Sequence, residues 1–563
     1  MTSPDHCAES EVIIAGAGPV GLTLAHELGS RGVQCVLVEP RLHADLASPR
    51  CKQINPKSME AYRRLGVAQA IRDNARLPFG WSDSAVFCTS LTGHTIERFD
   101  GVFALSDVQR DDLAEPAQWC AQNRLEETLR NTVTDRPTVS TWWGRSLVGV
   151  EQDETGVTAV VVDADGERRR IRGAYLVGAD GSRSRVRGEV GIRLAGRSHE
   201  VRNLQAIFTA PGLSEAHPQG RAVQYWVLNS EVNGLMGMLD TEGTWWAIII
   251  DAPADLDEQS ARDAIHTMIG ESHPIQVRSM DPWQARMLVA DRYRHGRCFL
   301  AGDAAHQNPP WGGFGANTGI GDAVDLGWKL AAALHGWAGP GLLDSYEHER
   351  RPVALRAIAE AERNMQVLTG ELARPELVDE GEAGTRARLR GAQTIRETKT
   401  AEMYTLGFVL GTSYPNSPLI SSADPAPLDA ALFDTALFDT STYRPSGAPG
   451  SRLPHRWLNR QQSLYDVLGP GFTLLEIAAP PVCEWEQEAA KRNIPVERYR
   501  LNRPDWHSHF GARYVLVRPD RHVAWRGDET PLDVGAVLDT ACGRATGLGW
   551  PRVESGQPGG QDR

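Results

Sequence analysis

The chain has 563 residues, of which 41% are hydrophobic and 23% are charged, an ordinary balance for a globular protein with more than one domain. Its formal net charge of −13 argues against a general binder of nucleic acids or anionic membranes. No stretch is apolar over the roughly 18 residues that a transmembrane helix needs.

The remaining bulk features indicate an intracellular setting. The first ten residues lack the basic region and apolar core of a signal peptide. Eight cysteines are scattered without a C-x-x-C pair, which is typical of reduced thiols in a cytoplasmic protein. No ligand-like cluster occurs among the sixteen histidines, so we expect no metal.

Residues 11–39 show the pattern of a complete βαβ unit. An apolar run, Val12–Ala15, predicts a buried parallel strand. A G-x-G-x-x-G motif and a helix-like repeat of apolar residues follow it. A second apolar run, Val33–Val38, predicts another strand, which ends on Glu39. The three glycines of the motif are Gly16, Gly18 and Gly21.

This unit is typical of a dinucleotide site. One glycine allows the tight turn, one lets the backbone approach a pyrophosphate, and one permits close helix–strand packing. The helix N-terminus offers free N–H groups to a diphosphate. Glu39 is placed to bind a ribose hydroxyl and repels a 2′-phosphate, which favours FAD or NAD. The motif alone is weak evidence, but its full context argues against an ordinary Gly-rich turn.

The following segments alternate between the two kinds of secondary structure. Periodicity predicts a helix over Pro56–Leu65, short strands within 80–110, a helix that opens at Gln122, and strands up to Leu176. Aromatic and β-branched residues within 190–290 predict an antiparallel sheet. A buried strand after Arg297 leads to a long helix, Thr318–His335, and further helices run from Leu342 to about Met403.

The C-terminal part is predicted to form a separate unit. Residues 410–454 are rich in Pro, Ser, Asp and Gly and read as a linker, with a short tandem repeat at 431–440. A second domain is expected over 455–546, with strands at Phe472–Ile477 and Tyr514–Val517. Residues 551–563 have the composition of a disordered tail.

A second motif, at residues 175–187, places Asp180 and Gly181 after a buried strand. The carboxyl end of a parallel strand is where α/β sheets bind ligands. An Asp-Gly β-turn explains the same residues equally well. On this motif alone, both interpretations stay open.

A third and a fourth motif follow one another. In residues 296–306 a strand again leads to Gly-Asp, and the Asp303 carboxylate can bind a sugar or ribitol hydroxyl. Residues 309–319 form a Gly-rich loop that opens a helix. The backbone N–H groups of Gly315, Ala316 and Asn317 are placed to face a developing negative charge, as on the pyrimidine edge of a reduced flavin.

These motifs, in this order, resemble the single-component flavin aromatic hydroxylases, the family of para-hydroxybenzoate and phenol hydroxylases. The resemblance covers residues 11–365 and extends to the sequence after Tyr443. It implies an α/β fold with a Rossmann-type FAD-binding domain over 1–365, in which an antiparallel substrate domain is inserted at about 80–110 and 190–290. A helical segment over 366–409, the linker and a thioredoxin-like domain would follow. The terminal domain contains only Cys483 and Cys542, far apart, so we expect it to lack a redox role.

The resemblance also implies a set of cofactor contacts. FAD would bind non-covalently, with Glu39 on the adenosine ribose and Asp303 on the ribitol. Asp180 is linked in the family to both FAD and the nicotinamide dinucleotide. The residues implied along the pyrophosphate and ribitol are Arg50, Gln122 and Arg124, and those implied against the isoalloxazine lie within Pro310–Asn317, namely Pro310, Gly313, Gly315, Ala316 and Asn317.

The implied activity is NAD(P)H- and O₂-dependent hydroxylation of a phenolic or polycyclic aromatic substrate through a C4a-hydroperoxyflavin. No second dinucleotide motif is present, so NAD(P)H is expected to visit the flavin without a domain of its own. No residue stands out as the catalytic base, and a homodimer is an open expectation. Candidate pocket walls are the middle-sheet residues Tyr225, Trp226, Met236, Trp246 and Trp283.

Several further functions fit the same motifs. The same cofactor supports Baeyer–Villiger chemistry or another oxidative tailoring step on a natural-product intermediate. Outside catalysis, a flavin-binding interaction or sensor protein shares the first motif, and so does an NAD-dependent dehydrogenase among the enzymes. A flavin halogenase is disfavoured because residues 245–248 depart from the W-x-W-x-I-P signature of that class.

Overall fold

The computed structural model describes residues 7–44, 50–253, 255–366, 372, 374–421 and 439–545. The first part of the chain supplies twelve strands and four helices. The strands are β1 (Cys7–Glu9), β2 (Val12–Ala15), β3 (Cys35–Glu39), β4 (Gln53–Ile54), β5 (Ala85–Cys88), β6 (Thr95–Phe99), β7 (Gln118–Trp119), β8 (Val139–Trp143), β9 (Arg145–Gln152), β10 (Val157–Asp163), β11 (Arg168–Gly173) and β12 (Tyr175–Gly178), and the helices are α1 (Pro19–Ser30), α2 (Pro56–Arg64), α3 (Ala68–Asn74) and α4 (Gln122–Val133).

The remaining elements follow in two groups. Up to residue 366 they are α5 (Arg185–Glu189), β13 (Leu194–Thr209), α6 (Leu213–Ala216), β14 (Gln224–Leu228), β15 (Asn233–Met238), β16 (Thr244–Ile250), α7 (Glu258–Ile269), β17 (Gln276–Ala290), β18 (Arg294–His295), β19 (Cys298–Leu300), β20 (His306–Gln307), α8 (Phe314–Leu334) and α9 (Gly341–Gln366). Beyond it they are α10 (Gly381–Met403), α11 (Leu406–Leu410), β21 (Phe472–Ile477), α12 (Glu484–Lys491), β22 (Val496–Leu501), α13 (His507–Phe510), β23 (Tyr514–Val517), β24 (Val523–Gly527) and α14 (Val534–Ala541).

A six-stranded sheet in the order β18-β19-β12-β2-β3-β8 forms the first layer. Strands β19, β12, β2, β3 and β8 run parallel, and the apolar runs of its central strands are buried, as expected for a sheet covered by helices. Their carboxyl ends lie at one edge. That edge brings together the residues that follow β2, β3, β12 and β19, which are the residues of the sequence motifs.

An eight-stranded sheet in the order β20-β17-β13-β16-β15-β14-β5-β6 forms the second layer. It was predicted to be antiparallel, but β14 pairs with β5 in parallel, so the sheet is mixed. The reason is topological: β5 enters from an early segment of the chain, and no hairpin joins it to β14. Helix α7 covers one face of this sheet, where Gly234 lies close to Met268.

The C-terminal part folds around a four-stranded sheet, β22-β21-β23-β24, in which only β21 and β22 are parallel. Its strands match those predicted at 472–477 and 514–517. One apolar cluster joins Trp328 and Trp337 of the first part to Phe472 and Leu538. The thioredoxin-like assignment stays a prediction. Of the predicted linker, the structure describes 410–421 and 439–454; most of the tandem repeat and all of the tail at 551–563 lie outside the described residues.

Candidate flavin site

The glycine motif forms a tight loop between β2 and α1. Gly16 has φ +98°, and a Cβ there would lie 2.4 Å from the Ala179 carbonyl oxygen. A Cβ on Gly21 would lie 1.9 Å from the Gly16 carbonyl oxygen, so the first turn of α1 packs directly on the loop. A Cβ on Gly18, by contrast, would meet nothing within 4 Å. Gly18 is the N-cap of α1 without a side-chain hydrogen bond, so the N–H groups of the first turn are available to a ligand.

Glu39 lies beside this loop at the end of β3. One carboxylate oxygen accepts a hydrogen bond from the Ala17 N–H at 2.7 Å. The other accepts from the Arg41 side-chain Nε at 2.7 Å and from its backbone N–H at 3.1 Å. These bonds fix the orientation of the carboxylate and leave lone pairs for a further donor such as a ribose hydroxyl.

The structure places Gln122 against the residue that follows Arg50, and it pairs Arg124 with an acid. The Gln122 side chain accepts a hydrogen bond from the Cys51 N–H at 3.2 Å and so braces the residue that follows Arg50. Arg50 is exposed. Arg124 pairs with Glu127 on its own helix at 3.0 Å, which ties its guanidinium to α4.

Asp180 accepts hydrogen bonds from the start of the short helix α5, whose N-cap residue is Ser184. Its carboxylate accepts hydrogen bonds from the Ser184 hydroxyl at 2.5 Å and from the backbone N–H groups of Arg185 at 2.7 Å and Val186 at 3.0 Å. Burial raises the pKa of this carboxyl. The capping explains why an acid follows β12, and a role toward either dinucleotide stays a prediction.

Asp303 differs from the other acids of the site because no described residue hydrogen-bonds or ion-pairs with its carboxylate. The side chain is exposed, yet the desolvation imposed by the surrounding protein raises its pKa, against the opposing charges of His306 and Arg50. These two observations agree if the carboxylate faces a concave, protein-lined space. An acid in such a space is suited to accept hydrogen bonds from ligand hydroxyls.

The Gly-rich loop lies directly against the turn that carries Asp303. A Cβ on Gly319 would lie 2.9 Å from the Gly302 Cα, so this close approach requires glycine. Gly313, at φ +66°, is the N-cap of α8 and has no side-chain cap. A helix that begins at Phe314 leaves the N–H groups of Gly315 and Ala316 without a helical partner. These groups are the free donors of the loop, together with the positive end of the helix dipole.

Asn317 was predicted to offer its backbone N–H to the cofactor, and this stays a prediction; the structure shows that its side chain makes four hydrogen bonds. Its amide oxygen accepts from the Asn55 N–H at 3.0 Å and from the Ser58 hydroxyl at 2.8 Å. Its amide nitrogen donates to the Gln53 carbonyl at 3.0 Å and to the Gly313 carbonyl at 2.9 Å. Asn317 thus holds the N-termini of α2 and α8 together, which positions the loop from Pro310 onwards.

The five predicted pocket residues lie on opposite faces of the eight-stranded sheet. Cross-strand pairing places Tyr225 opposite Met236, on the face that α7 covers. Trp226, Trp246 and Trp283 share the other face, through the pairs Trp226–Leu235, Gly237–Trp246, Ile207–Trp246 and Asn203–Trp283. Tyr225 and Met236 are therefore corrected to core residues: adjacent positions in a strand point to opposite faces, a parity that composition does not reveal.

The face that contains the three tryptophans packs against the Gly-rich loop. The rings of Trp283 and Trp311, which belongs to the loop, lie 5.8 Å apart. We call this surface, formed by Asn203, Gln205, Trp226, Trp246 and Trp283, the tryptophan face. The end of α10 covers its far side, where the Lys399 ammonium lies 4.8 Å from the Trp226 ring centre.

Three contributors to the site gave no recognisable signal in the sequence. They are Lys52, whose ammonium lies 4.5 Å from the Trp246 ring centre, and the pair Lys399 and Glu402 at 2.8 Å. Burial raises the pKa of Glu402, although Lys399 and the Gly312 N–H of the loop oppose this. Lys52 and Trp246 are far apart in sequence, as are Lys399 and Trp226, so no local motif indicates these contacts. Lys399 and Glu402 are three residues apart on α10, and such pairs are common on helices and do not indicate a site.

Comparison with known proteins confirms the class that this fold and site define. Residues 9–361 match the family described as FAD binding domain, and residues 446–547 match the family described as aromatic-ring hydroxylase, C-terminal. The chain therefore belongs to the FAD-dependent aromatic-ring hydroxylases, and it is an FAD-dependent monooxygenase. The predicted family, fold class, cofactor and enzyme class are confirmed. NAD(P)H is the co-substrate typical of this family.

The relatives span nearly the whole chain. A putative polyketide hydroxylase of Streptomyces halstedii is 33% identical over 92% of this chain and 93% of its own. Tetracenomycin B2 monooxygenase-dioxygenase of Streptomyces olivaceus is 32% identical over 95% of this chain and 98% of its own. The solved structure of the rebeccamycin biosynthetic enzyme RebC with reduced flavin has a TM-score of 0.86 and 34% identity and covers 96% of this chain and all of the other.

None of the helices in the described ranges combines the length and apolarity of a membrane-spanning segment.

Proposed function

We propose that this enzyme hydroxylates a phenolic aromatic compound of the polyketide type, with FAD bound non-covalently and O₂ as the oxygen donor. The observation that carries the proposal is the meeting of three features. Asp303, an acid with no partner in the part of the chain that the structure describes, lies next to the N-terminus of α8, which has no side-chain cap, and the loop before that helix packs on the tryptophan face. The arrangement supplies a hydroxyl acceptor, free N–H donors and flat apolar walls in one place.

In this proposal each part of the chain has a separate task. The N-terminus of α1 binds the pyrophosphate and Glu39 binds the adenosine ribose. Arg50, Gln122 and Asp303 bind along the linking chain of the cofactor, and Gly315 and Ala316 donate to the pyrimidine edge of the ring. FAD, when bound, supplies reduction by NAD(P)H and activation of O₂. The protein holds the aromatic ring beside it and excludes water.

The relatives support the substrate class. Their names include a polyketide hydroxylase and an enzyme of tetracenomycin B2. The tryptophan face agrees with this choice, because large planar rings gain contact area on flat indole surfaces. A simple phenol is an alternative substrate for the same reaction, since the chemistry needs only an electron-rich ring.

A second candidate is oxidative tailoring of another kind on a natural-product intermediate. The similarity to a rebeccamycin biosynthetic enzyme, at a TM-score of 0.86, favours it over a flavin-binding sensor and over a dehydrogenase. It shares every cofactor contact with the main proposal and differs only in the product.

The deciding experiment measures reduction and oxygen transfer separately. Anaerobic stopped-flow absorbance should show slow flavin reduction by NADPH or NADH alone and a rate at least about tenfold higher with an aromatic substrate, as expected when ligand binding shifts the flavin toward a reducible position. Under ¹⁸O₂, one labelled oxygen atom should appear in the product. A product that gains no oxygen, or gains it from labelled water, would contradict monooxygenation.

Three further proposals concern the setting of the enzyme. We propose a cytoplasmic location, supported by eight cysteines that form no disulfide. We propose a homodimer, which gel filtration with light scattering tests directly. We also propose that the domain after residue 455 has a structural role and no redox role. A redox role needs two close, reactive thiols, whereas Cys483 is exposed and Cys542 is buried, and burial raises the pKa of the Cys542 thiol to about 12.

A further inference from the structure

Lys52 is a buried cation without an anionic partner among the described residues. Its side chain is 8% exposed. Its ammonium donates to the Gln205 amide oxygen at 2.7 Å and to the Arg50 carbonyl at 3.5 Å, and lies 4.5 Å from the Trp246 ring centre. No carboxylate among the described residues pairs with it. Two other buried lysines of the chain differ in this respect, since Lys329 and Lys399 each pair with acids.

The ammonium lies where the tryptophan face meets the flavin loop. Gln205 and Trp246 belong to that face, and Gln205 is two residues from Asn203, the cross-strand partner of Trp283. On the other side, the carbonyl of the next residue, Gln53, accepts the hydrogen bond from Asn317 that braces α8. Lys52 is thus held between the cofactor loop and the substrate sheet.

Two further polar groups on this face bear on the argument. The Asn203 amide oxygen is buried and has no hydrogen-bond partner in the described ranges of the chain. Asp281, the cross-strand neighbour of Gln205, shares the face but forms no ion pair with Lys52. The face therefore has an unused acceptor and an unneutralised cation at the same site.

We propose that Lys52 recognises the substrate by donating a charge-assisted hydrogen bond to an anionic oxygen, a phenolate or carboxylate, on the aromatic ring system. The proposal rests on the proposed function, because it assigns the Lys52 side chain to the pocket beside the flavin. The bound anion would supply the counter-charge that the protein withholds, and so hold the ring against Trp246.

Elementary electrostatics supports this assignment. A buried ammonium without a counter-ion is costly, and the Trp246 ring and two neutral oxygens offset only part of that cost. Burial lowers the pKa of Lys52 to about 8, so the group is still mainly an ammonium at neutral pH. A site with an unpaired donor discriminates strongly against a ligand that lacks the matching oxygen.

The test compares a phenol with its methyl ether. The flavin absorbance of the FAD-loaded full chain is titrated with 1,8-dihydroxyanthraquinone and with its dimethyl ether, for the unaltered protein, Lys52→Met, Lys52→Arg and the control Lys57→Met. Lys57 lies on α2 and has no contact with the tryptophan face among those described. We expect the unaltered protein and the control to prefer the phenol about ten- to a hundred-fold.

In Lys52→Met that preference should collapse to within about threefold, and Lys52→Arg should restore part of it because a charged donor is retained. Absence of a preference for the phenol in the unaltered protein, including no binding of either compound, would overturn the proposal. So would a preference that survives in Lys52→Met.

Two measurements distinguish this proposal from a role of Lys52 in cofactor binding and from the proposed function itself. If Lys52→Met instead weakens FAD binding or shifts the flavin potential with the preference intact, the ammonium serves the cofactor and the proposal is wrong. If the preference depends on Lys52 but ¹⁸O₂ labels no product, the proposed function fails while the recognition role stands. The reverse pattern, labelled product with a preference independent of Lys52, rejects only the recognition role.

Discussion

Asp303 combines an exposed carboxylate, a raised pKa and the absence of any partner among the described residues, and it is the acid that we propose to bind the ribitol of the cofactor. Asp303→Asn should weaken FAD binding about ten- to a hundred-fold, because a charge-assisted hydrogen bond to a ribitol hydroxyl is replaced by a weaker neutral one. Fluorescence titration of the apoprotein with FAD measures the loss. Asp165→Asn, in the exposed turn after β10, is the matched control.

An Asp303→Asn variant that binds FAD as the unaltered protein does would remove this residue from the cofactor site. The FAD-free variant should be as stable as the unaltered protein or slightly more stable, since the carboxylate makes no bond within the described part of the protein and its desolvated charge is removed.

His26 gives a second prediction for a single side chain. It is buried in α1, its Nε2 lies 3.1 Å from the Leu129 carbonyl oxygen of α4, and burial lowers its pKa to about 4. A group whose folded pKa is depressed binds more protons when unfolded, so it lowers stability as the pH falls from about 6.5 toward about 4, by about 1.4 kcal/mol per pH unit at most. His26→Gln should flatten the fall in unfolding free energy over this range.

The readout for His26→Gln is the slope of stability against pH, measured by urea unfolding at fixed ionic strength. His295→Gln, at an exposed position in β18, should leave the slope unchanged. An unaltered slope in His26→Gln would show that other groups dominate the acid sensitivity.

At the scale of elements, the local sequence patterns correctly predicted individual strands and loops. The strand over Val12–Ala15 and the strand over Phe472–Ile477 follow from short apolar runs, and the glycine motif predicted the loop before α1. The face of the second sheet on which a side chain lies could not be predicted from local sequence, because for Tyr225 and Met236 it depends on the pairing register with other strands. The parallel pairing of β14 with β5 likewise depends on topology rather than on composition.

The site residues divide in the same way. Asp303 follows a recognisable strand-Gly-Asp pattern, so sequence alone indicated it. Lys52 is positioned by contacts with distant residues, among them Gln205, which lies 153 residues further along the chain. Asp180 was left open between a ligand and a turn; its three hydrogen bonds at the start of α5 show a structural role, and a ligand role stays a prediction.

The junction of α2 and α8 depends on Asn317, which makes four hydrogen bonds across it. Asn317→Ala should cost about 2–4 kcal/mol of stability, because it leaves the buried groups it now satisfies without partners. It should also weaken FAD binding, since the loop ahead of α8 loses its brace. Thermal unfolding with and without FAD measures both effects.

Asn317→Asp is the informative companion, because it keeps the two accepted hydrogen bonds and removes the two donated ones. A loss at least as large as that of Asn317→Ala is expected at neutral pH, because a buried carboxylate oxygen would then face the Gln53 and Gly313 carbonyl oxygens. If Asn317→Ala unfolds at the temperature of the unaltered protein, the brace has no energetic weight and the loop is held by other contacts.

For the whole molecule, the important surface is the one between the flavin-binding part and the C-terminal domain. Trp328 and Trp337 pack there against Phe472, with the ring centres of Trp337 and Phe472 6.0 Å apart. Cutting the chain near residue 450 would expose these rings. We therefore expect the shortened protein to keep its flavin motifs, all of which precede residue 320, but to aggregate more readily.

The same surface contains a buried ionic network. Arg518 donates to both carboxylate oxygens of Glu349, at 2.6 and 2.8 Å, and to Asp520 at 2.6 Å. Lys329 donates to Glu349 at 2.6 Å and to Asp325 at 2.8 Å. The carboxylates of Asp325, Glu349 and Asp520 lie close enough to resemble a metal site, but these two cations already neutralise much of their charge.

A double-mutant cycle across this network tests how the domains hold together. Arg518→Met should cost about 3–5 kcal/mol, because three buried acids would then face Lys329 alone. Glu349→Met should cost less, since two cations and two acids remain. The double variant should lose less than the sum of the two, as expected for residues in direct contact. Chemical unfolding of the FAD-loaded protein provides the three values.

Arg169→Met serves as the control, because Arg169 forms an exposed pair with Glu167 at 3.0 Å, and such pairs contribute at most about 1 kcal/mol. If Arg518→Met is no more damaging than this control, the network does not stabilise the contact between the domains. The apolar cluster around Trp328 and Phe472 would then be what holds the C-terminal domain in place, and Phe472→Ala should cost the several kcal/mol expected for a buried aromatic ring.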